Sequence, residues 1–212
     1  MKKLTKRILF CIRALFVLLI GAGLFYYLPM ILMPPSVKGQ IPNTNIFATK
    51  DMVNVYFIKT DNGYIMIDVG LNINKIENSI KEYYINANEV KWIFLTHSDG
   101  DHIAALTLFP NANIYMSMEE MQLVNGTMKR NLLMRNKMPQ GINIGNIKLL
   151  TNGQEFTLFG THIKCILAPG HTIGLMVYLV DEKYLFTGDA FKIENENIMV
   201  HPYSMDTKWN TL

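Results

Sequence analysis

One stretch constrains this chain more than any other. The apolar run Trp92-Ile93-Phe94-Leu95 leads directly into Thr96-His97-Ser98-Asp99-Gly100-Asp101-His102. Four residues able to ligate a metal stand within six positions, at the end of what reads as a buried strand over Val90–Thr96. Alternate residues of an extended chain face the same way, so such a strand delivers His97 and Asp99 to one side. Gly100 permits a sharp bend, and Asp101 and His102 then open a helix, approaching the same pocket from another direction. The fold must therefore present a strand end to a polar pocket.

Two further ligand-type residues recur in matching settings. His171 lies in Ala168-Pro169-Gly170-His171-Thr172, and Asp189 in Phe186-Thr187-Gly188-Asp189-Ala190. Each follows a predicted strand and a glycine. Zinc takes nitrogen and oxygen ligands, and a catalytic site keeps one position open. Taken alone, Asp99 or Asp101 reads as a helix N-cap, and His97 or His102 as a polar loop residue. The cluster together reads as a metal site, with room for two neighbouring ions. Asp68, ending a strand at Asp68-Val69-Gly70, reads as a turn or supporting residue and not as a ligand. His162, within a strand pattern, and Cys165 read as structural.

The rest of the chain is organised to match. Val53–Ile58 and Tyr64–Val69 read as strands joined by a Thr60-Asp61-Asn62-Gly63 turn, an Asn-Gly hairpin signal. Ile73–Ile85 carries apolar residues at helical spacing. Ile103–Leu108 reads as a helix and Ile114–Met116 as a short strand. Residues 117–139, with Met118, Met121, Met128, Met134 and Met138, read as helix and loop whose methionines pack a core; an apolar wall beside the site is the sharper alternative. Strands are predicted at Ile147–Leu150, Glu155–Leu158, His162–Leu167, Met176–Val180 and Tyr184–Thr187. This order implies two sheets with helices outside.

The amino terminus is of a different kind. Ala14–Met33 is twenty residues without a charge, the length of a helix crossing a hydrocarbon core of ~30 Å. Pro34-Pro35 ends it. Five basic residues and no acid lie within residues 1–36. That asymmetry predicts a cytoplasmic basic tail (1–13), a single-pass anchor (14–35), a linker (36–50) and an extracytoplasmic domain (51–212) in the cell membrane. A cleaved signal peptide is the rival reading, but the apolar run exceeds the usual 7–15-residue core. Outside the anchor, 15 basic residues face 17 acidic ones, so the excess positive charge that a phosphate backbone attracts is missing and nucleic acid is not the favoured partner. Cys11 and Cys165 show no CxxC spacing, which excludes a cysteine-only zinc site.

From Asn54 to Ala190 the chain resembles the metallo-beta-lactamase superfamily. The motifs are Ile67-Asp68-Val69-Gly70, the 96–102 stretch, Pro169-Gly170-His171-Thr172 and Thr187-Gly188-Asp189-Ala190. The resemblance implies an α/β, four-layer αββα sandwich. It implies two zinc ions: His97 and His171 on the first, Asp101 and His102 on the second, and Asp189 bridging both. It implies a metal-dependent hydrolase in which metal-bound hydroxide, oriented by Asp101, attacks an ester, thioester, lactone, lactam or phosphodiester of a small-molecule substrate.

Two departures from the family pattern stand out. Asp99 occupies the position of the second histidine in His-x-His-x-Asp-His, as in competence-type DNA-uptake relatives. Oxygen ligation there favours harder ions such as Mn²⁺, with Fe²⁺ a further candidate. The family also carries a last histidine beyond a further helix and strand, whereas 23 residues follow Asp189. Ser204–Asn210 is expected to begin that helix, His201 falls too early for that position, and the domain is expected to be incomplete at its C-terminus. The alternative functions are accordingly a truncated, non-catalytic metal-binding or interaction domain, and a nuclease-like DNA-uptake relative.

Overall fold

Val55, Phe57, Tyr64 and Met66 alternate with Tyr56, Ile58, Ile65 and Ile67 along two strands, and each set meets a different hydrophobic cluster. That double-sided burial places these strands in the middle of a layered domain. The computed structural model describes residues 2–32, 38–129, 136–194 and 197–200. The chain divides into two units, 1–34 and 35–212.

The first unit is one helix, α1 (Lys2–Leu32). Its segment Lys6–Phe25 is long and apolar enough to cross a membrane, and its side chains, Phe10, Val17 and Phe25 among them, are exposed. Pro34-Pro35 lie outside the described residues.

In the second unit, seven strands form one sheet in sequential order: β1 (Gly39–Gln40), β2 (Ile46–Lys50), β3 (Asn54–Thr60), β4 (Gly63–Ile67), β5 (Val90–Phe94), β6 (Asn113–Ser117) and β7 (Ile147–Leu150). The pairs from β1 to β4 are antiparallel, and those from β4 to β7 are parallel. A four-stranded antiparallel sheet follows, ordered β11 (Tyr184–Phe186), β10 (Met176–Val180), β9 (Thr161–Leu167) and β8 (Glu155–Leu158). A hairpin of β12 (Phe191–Glu194) and β13 (Asn197–Val200) closes the described chain.

Helix α2 (Ile73–Glu82) buries Ile76 and Ile80 against the first sheet. Asn72 caps it, its side chain accepting from Lys75 N at 3.1 Å. It stops three residues before the predicted end because Tyr84 takes a left-handed φ of 55°, which a helix cannot continue through. The two sheets sandwich Phe94, Ile163, Cys165, Met176 and Tyr178. Cys165 is a free thiol, and burial pushes its pKa up to about 12. Helix, sheet and sheet thus make three of the expected layers. No helix covers the outer face of the second sheet among the described residues, and Ser204–Asn210 and His201 lie outside them.

One stretch was misread from sequence. Residues 36–50 read as a linker, but β1 and β2 lie there and pair into the large sheet, with Ile46 opposite Ile58. Ile46 and Ala48 are buried there, while the intervening Asn43-Thr44-Asn45 turn and Pro42 mask so short an alternation. Strands β7, β8 and β10 have the predicted limits.

Candidate metal centre

Parallel pairing gathers the carboxyl ends of β4, β5 and β6 at one edge, and the segments after β9 and β11 meet them there. The strands end just before the polar residues: β5 at Phe94, β9 at Leu167 and β11 at Phe186. Met176 N donates to Thr96 O at 2.8 Å and Tyr178 Oη to Leu95 O at 2.5 Å, so the second sheet is stitched to the first directly before His97. Gly188, at φ 50°, passes so close that a Cβ there would lie 2.5 Å from Thr96 Oγ1. Only glycine lets the 187–190 loop approach this near.

Five of the six predicted ligands converge in two groups that share His97. Ligand atoms of His97, Asp99 and His171 lie within 4.8 Å of one another, as do those of His97, His102 and Asp189. Asp189 faces both ways: Oδ1 is 3.5 Å from His102 Nε2, and Oδ2 is 3.6 Å from His171 Nε2. Asp99 Oδ2 is 3.1 Å from His171 Nε2 and 3.6 Å from His97 Nε2. Asp99 does occupy the N-cap position of α3 (Gly100–Ile103), yet its side chain makes no capping hydrogen bond. Its carboxylate is turned to the histidines instead. Asp101, half-buried in the first turn of α3, belongs to neither group. His162 stands away from them, its Nε2 3.5 Å from Glu155 Oε2.

The protonation of two rings follows from their neighbours. Asp68 accepts Thr96 N at 2.7 Å on Oδ1 and the Thr96 hydroxyl at 2.8 Å on Oδ2. Since that hydroxyl's proton is committed to Asp68, its oxygen accepts from His97 Nδ1 at 3.0 Å. His102 Nδ1 lies 2.8 Å from Asp68 Oδ2 and must donate to it. In both rings the Nδ1 proton is taken up, so Nε2 offers its lone pair to the centre. Both Nε2 atoms are buried and make no hydrogen bond among the described residues. Buried polar atoms ordinarily find a partner, and two imidazole lone pairs facing carboxylates are the donor set of a divalent cation.

Electrostatics agree. Burial works against charging His102, but the carboxylates of Asp68 and Asp189 outweigh it and hold its pKa well above the usual histidine value. His97 is opposed by burial and by His102, yet is still raised, by Asp99 and Asp189.

Sequence reasoning missed Glu120 and Asn136. Glu120, in the first turn of α4 (Met118–Val124), is buried beneath the ligand loops. Asn136 Nδ2 donates to Ser98 Oγ at 2.7 Å and Asp99 Oδ1 at 2.9 Å. A glutamate beginning a helix and an asparagine in a loop carry no distinguishing local signal. Of the methionines, Met116 is fully buried and Met121 and Met138 pack on the core, while Met118 and Met128 are exposed. Met134 lies outside the described residues.

A two-sheet α/β domain with a histidine–carboxylate centre at one sheet edge defines a class of metallo-hydrolase-like folds. The family model of the Metallo-beta-lactamase superfamily matches residues 48–210, and this chain belongs to that superfamily. It is 35% identical over 129 residues to a probable polyketide biosynthesis zinc-dependent hydrolase, PksB of Bacillus subtilis, covering 59% of this chain and 48% of that protein. It is 27% identical over 154 residues to the lactamase-like protein nscB of Trichophyton equinum, covering 72% of this chain and 39% of that protein. The chain thus spans less than half of these relatives' length. Among solved structures it is similar in fold to the FEZ-1 metallo-beta-lactamase of Legionella gormanii, with a TM-score of 0.57, 21% identity, and coverage of 78% of this chain and 62% of that one. BJP-1, a subclass B3 metallo-beta-lactamase of Bradyrhizobium japonicum, has a TM-score of 0.57 at 18% identity, covering 77% and 60% respectively.

Proposed function

We propose that this chain is a membrane-anchored, zinc-dependent hydrolase that binds two metal ions. The observation carrying this reading is the pair of ligand groups sharing His97, with buried Nε2 lone pairs on His97 and His102. The relatives named as zinc-dependent hydrolases support both the reaction class and the metal.

In this reading His97, Asp99 and His171 would hold one ion, His97 leaning on the Thr96 hydroxyl for its orientation. His102 and Asp189 would hold the other, Asp189 facing His102 through Oδ1 and His171 through Oδ2. Bound zinc supplies Lewis acidity and makes water a competent nucleophile near neutral pH. Asp101, on the helix that follows Asp99, would accept the proton that water loses on attacking the carbonyl or phosphoryl centre and would pass it to the leaving group as the scissile bond breaks. The substrate is a small molecule carrying an ester, thioester, lactone, lactam or phosphodiester bond. Asp99 and Asp189, the least buried ligands at 24% and 18% side-chain exposure, mark the side from which it enters.

Elemental analysis of the purified chain tests this, alongside a panel of ester, thioester, lactone and phosphodiester substrates. About two metals per chain and hydrolysis of one class are expected. Asp189→Ala should lower both metal content and turnover. Unchanged metal content in that variant removes the bridging assignment, and a folded wild-type chain without metal removes the reading.

A further inference from the structure

Glu120 is 1% exposed, at the start of the helix that follows β6. Burying a carboxylate is costly unless its oxygens are paired. Among the described residues its partners are all neutral donors. Ser98 N donates to Oε2 at 2.8 Å and Ser98 Oγ to the same oxygen at 2.5 Å, while the Thr172 hydroxyl donates to Oε1. Ser98 stands between His97 and Asp99, and Thr172 directly follows His171. One carboxylate therefore clamps two ligand-bearing loops that arrive from different sheets.

The surrounding bonds run in a consistent direction. The Ser98 proton goes to Glu120, so Ser98 Oγ is free to accept from Asn136, whose amide nitrogen also holds Asp99 Oδ1. Below, Ser117 Oγ accepts from Glu120 N at 3.0 Å and donates to Gly174 O at 2.7 Å. A Cβ on Gly174 would collide with Glu120 N and Ser117 Oγ, so the 170–174 loop is seated directly on the start of α4.

The geometry points to Glu120 as a positioning residue that sets metal affinity and coordination at the His97–Asp99–His171 group, acting through Ser98 and Thr172. Asp68 orients the His102 and His97 rings, and Glu120 holds the loops that carry Asp99 and His171. This rests on the reading of these residues as a metal centre. Groups that orient metal ligands typically contribute 10–100-fold to metal affinity.

The test uses the full chain in detergent, with Zn²⁺ competed against a chelator and Co²⁺ as a spectroscopic probe. Glu120→Gln should fold, as judged by circular dichroism, bind Zn²⁺ about 10–100-fold more weakly and shift the Co²⁺ absorption bands. Thr172→Val, which lacks the hydroxyl, should move both readouts in the same direction, and Thr172→Ser should restore them. A folded Glu120→Gln with wild-type affinity and spectrum overturns the assignment, even with a lowered unfolding midpoint. If Glu120→Gln does not fold, wild-type behaviour of Thr172→Val overturns it. Failure of the underlying reading looks different: the wild-type chain binds neither ion, or His97→Ala binds them as tightly as wild type.

Discussion

His102 Nδ1 lies 2.8 Å from Asp68 Oδ2, and that contact decides which nitrogen of the ring faces the candidate metal centre. The same oxygen accepts the Thr96 hydroxyl, so Asp68 governs the His97 ring as well. Asp68 reaches both because it sits directly after β4 with a left-handed φ of 55°, turning its carboxylate across to the end of β5. Asp68→Asn keeps the shape but leaves one acceptor oxygen where two are needed. Chelator competition should show Zn²⁺ affinity lower by about 10–100-fold. Asp68→Ala should in addition destabilise the fold by about 1–3 kcal/mol in urea unfolding, because buried donors lose their partner.

The metal-free chain should respond to pH in the opposite sense to metal binding. The pKa of His102 is raised in the folded state, mainly by Asp68 and Asp189 acting against burial. Its contribution to stability is therefore fully present below the unfolded histidine value of about 6.5 and is lost as pH rises through the folded value. Zn²⁺ binds the neutral ring, so its affinity should climb over that same rise. Thermal unfolding with chelator should thus show a midpoint falling with pH above about 6.5, and with excess Zn²⁺ the trend should reverse. A flat chelator profile would contradict the pairing of His102 with the two carboxylates.

Tyr178 bridges the two sheets through its hydroxyl on Leu95 O, two residues before His97. The ring is fully buried, against Phe94 at 5.3 Å between centroids. Tyr178→Phe keeps that packing and deletes the hydrogen bond. A loss of about 1 kcal/mol is expected in denaturant titration, with metal stoichiometry unchanged.

The proposed topology makes a separate prediction. With α1 as an anchor and basic residues at its start, the chain should stay in the membrane fraction after alkaline carbonate washing. Protease added outside intact cells should reach the domain. Release of a shortened soluble chain would favour the cleaved-signal alternative.

Much of the candidate centre was legible along the chain because its residues are clustered or flanked by glycine. His97, Asp99 and His102 lie within six residues, and His171 and Asp189 each follow a strand and a glycine. The strands were legible as short apolar-rich runs bounded by turn residues, and for β7, β8 and β10 the limits agree to the last residue. Strands β1 and β2 were not, because Pro42 and the polar Asn43-Thr44-Asn45 turn stand between them and β1 is only two residues long.

By itself, then, the sequence carried the two-sheet plan, the apolar amino-terminal helix, the motifs by which the chain resembles its family, and five of the residues that converge at the candidate centre, since these are written in short local stretches. Only the tertiary structure decided what orients that set. Asp68 is 28 residues from Thr96 and 34 from His102, and Glu120 is 22 from Ser98 and 52 from Thr172. No local pattern connects residues so far apart. Their partnership arises where the parallel strands end together and the second sheet is bound to that edge, a juxtaposition produced by burying Phe94, Met176 and Tyr178 between the sheets.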